Sequence, residues 1–146
     1  METWYFTNPT INNNVIKVIK IQQGYDPTVV IHAALECSAQ LKLFHWQTFS
    51  FAQHEAFDKI GKDLAKSFDK LVETLLGRYR SFEYRPLNLT LEPYSNENIL
   101  QKINQYLAVF TNKECPILRP EDTDAQNIVE EIVADLNKLK YLLTLE

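Results

Sequence analysis

The stretch from Ser50 to about Arg80 constrains the fold of this chain more than any other. Ser50 followed three residues later by Gln53 resembles a capping box. Beyond it Phe57, Leu64, Phe68, Leu71 and Leu75 recur on one stripe of a 3.6-residue period. The predicted element is a single helix of about 30 residues, long enough to span a small domain. A helix with one apolar stripe must bury that stripe against other helices, so the expected architecture is a helical bundle.

The same helix carries a second, polar stripe. His54, Asp58, Asp69 and Glu73 are offset by 4, 11 and 4 residues. At about 100° per residue the first three fall within roughly 60° of one another, with Glu73 about 40° further round. The apolar stripe is centred about 100–120° away, and Lys59, Lys66 and Lys70 mark the solvent side. Carboxylates with an imidazole at the border of a core suit iron, manganese or zinc held between packed elements. With a rise of about 1.5 Å per residue, the His54/Asp58 pair lies roughly 16–20 Å from Asp69/Glu73, so one helix cannot close one site. Two copies running antiparallel across a two-fold axis bring His54 and Asp58 of one chain against Asp69 and Glu73 of the other. The same spacing also fits a solvated helix edge, each acid within reach of Lys62, Lys66 or Lys70.

Three further helices are predicted. Asp26-Pro27 gives an N-cap and a first-turn proline for a helix to about Thr48, with Val30, Ala34, Cys37, Leu41 and Phe44 as its buried stripe. Residues 81–94, with Pro86 and Pro93, read as a long crossover between the second and third helices. The third helix runs from Ser95 to about Asn112 on Ile99, Ile103, Leu107 and Phe110, and Cys115-Pro116 and Arg119-Pro120 end it. Thr123 with Gln126 is a second capping-box candidate, ahead of Ile128, Ile132, Leu136, Leu139 and Leu143. The fold expectation is all-α: a ferritin-like four-helix bundle with a long crossover between helices 2 and 3. At 146 residues it forms one domain over 1–146. Residues 1–25 have no clear period and form an N-terminal extension.

The run Leu43-Phe44-His45-Trp46, then His54-Glu55-Ala56-Phe57-Asp58, then Asp69 and Glu73, resembles the ferroxidase signature of the Dps-type mini-ferritins. The resemblance covers roughly residues 27–80. It implies iron bound at a dimer interface by His45, His54, Asp58, Asp69 and Glu73, with Trp46 near the site. Fe(II) would be oxidised there by peroxide or oxygen, and the assembly would be at least a two-fold dimer or a cage. Iron is the implied metal, with manganese or zinc as alternatives. Two features depart from the family's pattern. The His45-to-His54 interval is about one turn shorter, and Phe49-Ser50-Phe51 replaces the usual glycine between them. Short viral proteins look similar in this stretch, which implies a divergent viral or phage branch. The alternative function, from another class, is a ferritin-like bundle acting as a metal-free or zinc-stabilised structural or interaction protein.

Composition narrows the rest. A net charge of −4 argues against coating duplex DNA, since that binding is driven by phosphate neutralisation. Met1-Glu2-Thr3-Trp4 is acidic and polar where a secretory signal is basic and then apolar, so a reducing, cytoplasmic setting is expected, the host's if the branch is viral. No apolar run approaches the roughly 20 residues of a membrane span. Asn88-Leu89-Thr90 is then a chance sequon, and Cys37 and Cys115 are small packing residues. Arg78-Tyr79-Arg80 with Phe82, Tyr84 and Arg85 interleaves basic and aromatic residues as single-strand binders do. In an acidic chain such arginines more often cap a helix and line a subunit contact. His32 lies about 140° round its helix from His45 and reads as a surface residue, and Glu55 and Asp63 as solvated charges. Nucleophile elbows, phosphate-binding glycine loops and paired cysteines are missing. Neither His45 nor His54 follows a glutamate by three residues, which disfavours a di-iron centre inside one bundle.

Overall fold

The computed structural model describes residues 27–79, 86–112 and 118–145. They hold four helices and no strand: α1 (Pro27–Gln47), α2 (Phe51–Arg78), α3 (Asn96–Thr111) and α4 (Thr123–Leu142). Among them the helix pairs in contact are α1–α2, α2–α4, α3–α4 and α1–α3, the four sides of a bundle. The extension at 1–25, the Asp26 cap and Cys115-Pro116 lie outside the described residues.

Apolar periodicity places the core. Val30, Ala34, Cys37, Leu41 and Phe44 are buried on α1, and Phe57, Leu64, Phe68, Leu71 and Leu75 on α2. Ile99, Ile103 and Phe110 join them from α3, and Ile128, Ile132, Leu136 and Leu139 from α4. Leu107 and Leu143 pack against this core from its margin. Phe44 meets Phe57 at 5.6 Å between ring centroids and Phe68 meets Phe110 at 5.9 Å. Truncating such a ring to alanine costs about 3–5 kcal/mol through lost transfer energy and the cavity left behind.

The caps differ from the expected boxes in informative ways. The Ser50 hydroxyl accepts from the Gln53 N–H at 3.2 Å, as expected. The Gln53 amide does not reach back to Ser50; it accepts from the Thr48 and Tyr94 hydroxyls, each at 2.7 Å, while the Ser50 N–H donates to the Thr48 hydroxyl. At the start of α4, Thr123 is the first helical residue and Asp122 the cap, and the Asp122 side chain makes no capping bond. Its carboxylate is fully buried and committed elsewhere. Oδ1 accepts from the Tyr79 hydroxyl at 2.6 Å and lies 3.2 Å from Arg78 Nε, and Oδ2 accepts from the Arg119 N–H at 3.1 Å. The Arg119 guanidinium stands 4.7 Å from the Tyr79 ring centroid. Arg78 and Tyr79 therefore pin the end of α2 to the start of α4 within one chain. Burial and the bond to Asp122 push the Tyr79 hydroxyl above its ordinary value.

Between α2 and α3, residues 88–94 lie along α1, held by side chains that read only their backbone. His32 Nε2 meets the Asn88 carbonyl at 2.7 Å, so this histidine has a tertiary role rather than a plain surface one. Glu36 accepts from the Thr90 N–H, and Gln40 both donates to the Glu92 carbonyl and accepts from its N–H. Gln47 accepts from the Tyr94 N–H. The register has a simple origin. Four residues of helix advance about 6 Å and two of extended chain about 6.6 Å, so the steps of four from His32 to Glu36 to Gln40 match the steps of two from Asn88 to Thr90 to Glu92.

Glu36 also anchors this segment to the bundle interior. Its second oxygen accepts from Lys102 Nζ at 3.2 Å and the Tyr106 hydroxyl at 3.0 Å, and Lys102 donates to the Thr90 carbonyl at 2.8 Å. Burial pushes the Glu36 carboxyl up, but the Thr90 N–H, the Tyr106 hydroxyl and the Lys102 ammonium together outweigh it and hold the group below its ordinary range. Burial, with the nearby Cys37 and Glu36, raises Tyr106, and burial raises Cys37.

Candidate metal centre

α1 and α2 are joined by Thr48, Phe49 and Ser50 alone, so the last turn of α1 faces the first turn of α2. That short hairpin brings His45 and His54 together. Their rings stack with centroids 3.8 Å apart and planes 19° apart. His45 Nδ1 lies 2.9 Å from the His54 carbonyl, and His54 Nδ1 lies 2.9 Å from the His45 carbonyl. A carbonyl can only accept, so each Nδ1 carries the proton, and in the neutral ring the Nε2 lone pair is left for another partner. This is the orientation in which imidazoles ligate metals, with the second nitrogen fixed by a backbone oxygen. Stacking sets a limit, however. Both lone pairs lie in nearly parallel planes, so one ring must turn before both can meet a single ion.

Asp58, one turn beyond His54, is half-buried and paired with Lys62 at 2.8 Å. The Lys62 hydrogen bond holds the Asp58 carboxyl below its ordinary range against the opposing effect of burial, and the charges of Lys62, His45 and Lys42 add to it. Ser38, Lys42, His45, Asp58, Gly61 and Ala65 border a pocket of about 150 Å³ in the groove between α1 and α2.

Asp69 and Glu73 lie further along the same continuous helix, both exposed. They are hydrogen-bonded to each other: the Asp69 carboxyl, by that bond and by its charge, raises Glu73 above its ordinary value. Two carboxyl groups this close repel each other when both are ionised, and a cation can relieve that. With about 1.5 Å of rise per residue, the 11 residues from Asp58 to Asp69 span about 16 Å. The structure thus gathers His45, His54 and Asp58 at one place and Asp69 with Glu73 at another. Among the described residues, no group of three or more His, Cys, Asp or Glu within one chain is arranged to hold a metal ion.

Trp46 is 71% exposed and Phe49 and Phe51 more so, which makes an aromatic tip beside the histidines. Trp46 is therefore no core residue. Arg80, Phe82, Tyr84 and Arg85, with which Arg78-Tyr79 forms the basic and aromatic run, lie outside the described residues. The sequence offered no sign of the reciprocal histidine pair or of Lys62 on Asp58 beyond an i, i+4 spacing. Glu36, Gln40 and Lys102 were missed as anchors, although each sits beside an apolar stripe, where a polar residue needs a partner. Among the described residues no helix is long and apolar enough to cross a membrane.

Residues 45–143 match a family described as a family of unknown function (DUF5856). The match takes in most of the chain, and the chain belongs to that family. No curated protein and no solved structure matches it.

Proposed function

We propose that the chain binds and oxidises Fe(II) between two copies, as a divergent Dps-like member of the ferritin-like bundles. The observation that carries the reading is the division of ligand-type groups along α2. Imidazoles with open Nε2 positions and Asp58 lie at one end, and the neighbouring carboxyl groups of Asp69 and Glu73 lie about three turns away. Neither set suffices alone, and an antiparallel pair of α2 helices joins them twice. The hydrogen bonds of residues 88–94 along α1 support the ferritin-type crossover within this reading.

The residues then take distinct roles. His54 holds Fe(II) through Nε2 while its Nδ1–H still donates to the His45 carbonyl, and His45 adds its own Nε2 once its ring has turned out of the stack. Asp58 exchanges Lys62 for the ion. Asp69 and Glu73 of the second chain supply the oxygen charge that favours Fe(III), with peroxide or oxygen as oxidant. Trp46 stands at the rim of the site.

Anaerobic Fe(II) titration tests the reading. Saturable binding is expected in the parent, with peroxide consumed in proportion to the iron loaded. Asp69→Asn and Glu73→Gln should each abolish tight binding with helical content unchanged, because neither opens a core cavity. Equal affinity in parent and variants would leave the metal-free interaction protein, which the Lys62–Asp58 bridge favours, as the better account.

A further inference from the structure

At one end of the bundle α2 and α3 begin and α4 finishes, and the three helix ends do not close on one another. They leave a cleft of about 730 Å³. Its floor is apolar, with Ile99 and Ile103 buried on α3 and Leu143 at the margin of the core. Its lips are apolar as well: Phe51, Leu100 and Leu145 are 77%, 50% and 46% exposed. Clefts of roughly 300–1,000 Å³ with apolar walls and a few polar groups are the usual form of small-molecule sites.

Three polar side chains at the cleft are already committed. The Ser50 hydroxyl accepts from the Gln53 N–H, the Gln53 side-chain oxygen accepts from Thr48 and Tyr94, and the Thr144 hydroxyl donates to the Tyr141 carbonyl. Lys140 differs. It is the only charged residue lining the cleft, and its ammonium bonds, among the described residues, only to the neutral Asn104 side-chain oxygen at 3.0 Å. An ammonium carries three protons, so two remain for a ligand. A lysine in the last turn of α4 also offsets the helix dipole, but there the N–H groups of Leu143, Thr144 and Leu145 already take up the carbonyls of Leu139, Tyr141 and Leu142. A cation beside an apolar hollow whose lining holds no carboxylate complements a molecule with an apolar body and one negative end.

We infer that this cleft binds a small apolar carboxylate, of the size of a medium-chain fatty acid, with its chain over Ile99, Ile103 and Leu143 and its carboxylate on Lys140. The site shares no residue with His45, His54, Asp58, Asp69 or Glu73, so it stands or falls apart from the Fe(II) reading.

The test is calorimetric titration of the full chain, in chelator, with octanoate. Saturable binding of one octanoate per chain is expected, with Kd at or below about 1 mM. Lys140→Met keeps the aliphatic stem and should weaken binding about 10-fold or more, as expected for a lost charge-assisted bond. Octylammonium, with the same tail and the opposite charge, should not displace octanoate. Ala52→Phe fills the cleft from α2 and should also weaken binding about 10-fold or more, with helical content and Tm checking that both variants fold. Absence of saturable binding, octylammonium displacing octanoate, or either folded variant binding as the parent does overturns the inference. So does a dimer in sedimentation velocity that Ala52→Phe breaks and octanoate leaves intact, which would assign the cleft to a second copy of the chain.

Discussion

His45 and His54 hold each other by exchange: each Nδ1 lies 2.9 Å from the other's backbone carbonyl, across a three-residue turn, with the rings 3.8 Å apart. The short turn between α1 and α2 folds the two histidines face to face. Because stacked rings cannot both aim at one ion, the residue tied to Asp58 should dominate. His54→Ala is expected to weaken Fe(II) binding about 10-fold more than His45→Ala, by titration. Each variant should lose about 1 kcal/mol of stability, since one hydrogen bond goes while the carbonyl of the mutated residue still accepts. A larger loss of affinity at His45 would contradict this and show that the turn delivers His45 first.

The Asp69–Glu73 pair gives a pH signature. Glu73 is raised in the folded chain by its bond to Asp69, so the folded state binds more protons than the unfolded one near and above the ordinary glutamate value. Stability from this pair is therefore full below about pH 4.3 and is lost as pH rises through the raised value. Glu73→Gln should raise Tm by roughly 1–2 °C at pH 7, and the difference should vanish in acid. Scanning calorimetry at the two pH values checks it; a Tm lowered at pH 7 would mean that Glu73 has a stabilising partner.

Glu36 and Lys102 behave oppositely. Both are buried, and the pair ties α1, α3 and Thr90 together. Lys102→Met leaves a buried carboxylate uncompensated and should cost about 3–5 kcal/mol in urea unfolding, whereas Glu36→Gln with Lys102→Met should recover most of it. The lowered Glu36 value adds stability that is present above the ordinary glutamate range and lost as pH falls through the folded value. The double variant should lack this part of the acid response. A single variant as stable as the parent would show that the pair does not bind the segment to the bundle.

Helix existence and the apolar stripes were legible because periodicity is local: every stripe residue named on α1 and α2 is buried. The helix ends followed too, through Ser50 and Ser95, both of which make side-chain caps. Asp122 shows where local reading stops. Beside Thr123 it looks like one more polar residue ahead of a cap, yet its carboxylate faces Tyr79, more than 40 residues away in the chain. The same holds for Glu36, whose partners at Thr90, Lys102 and Tyr106 come from other elements. At the candidate site, spacing placed the five groups on the right helices. The stacking of His45 on His54 depends on a turn geometry that spacing cannot express.

Subunit complementation tests the central claim most directly. A His54→Ala/Asp58→Asn variant keeps Asp69 and Glu73, and an Asp69→Asn/Glu73→Gln variant keeps His54 and Asp58, so neither alone forms a complete site. In their mixed dimer one interfacial site regains all its ligands while the other loses all of them. Fe(II) titration of the mixture, with subunit exchange followed by native mass, should show binding restored at about one site per mixed dimer. Confirmed exchange without any Fe(II) binding, or full binding by an enforced monomer of the parent, would contradict a site shared between two chains.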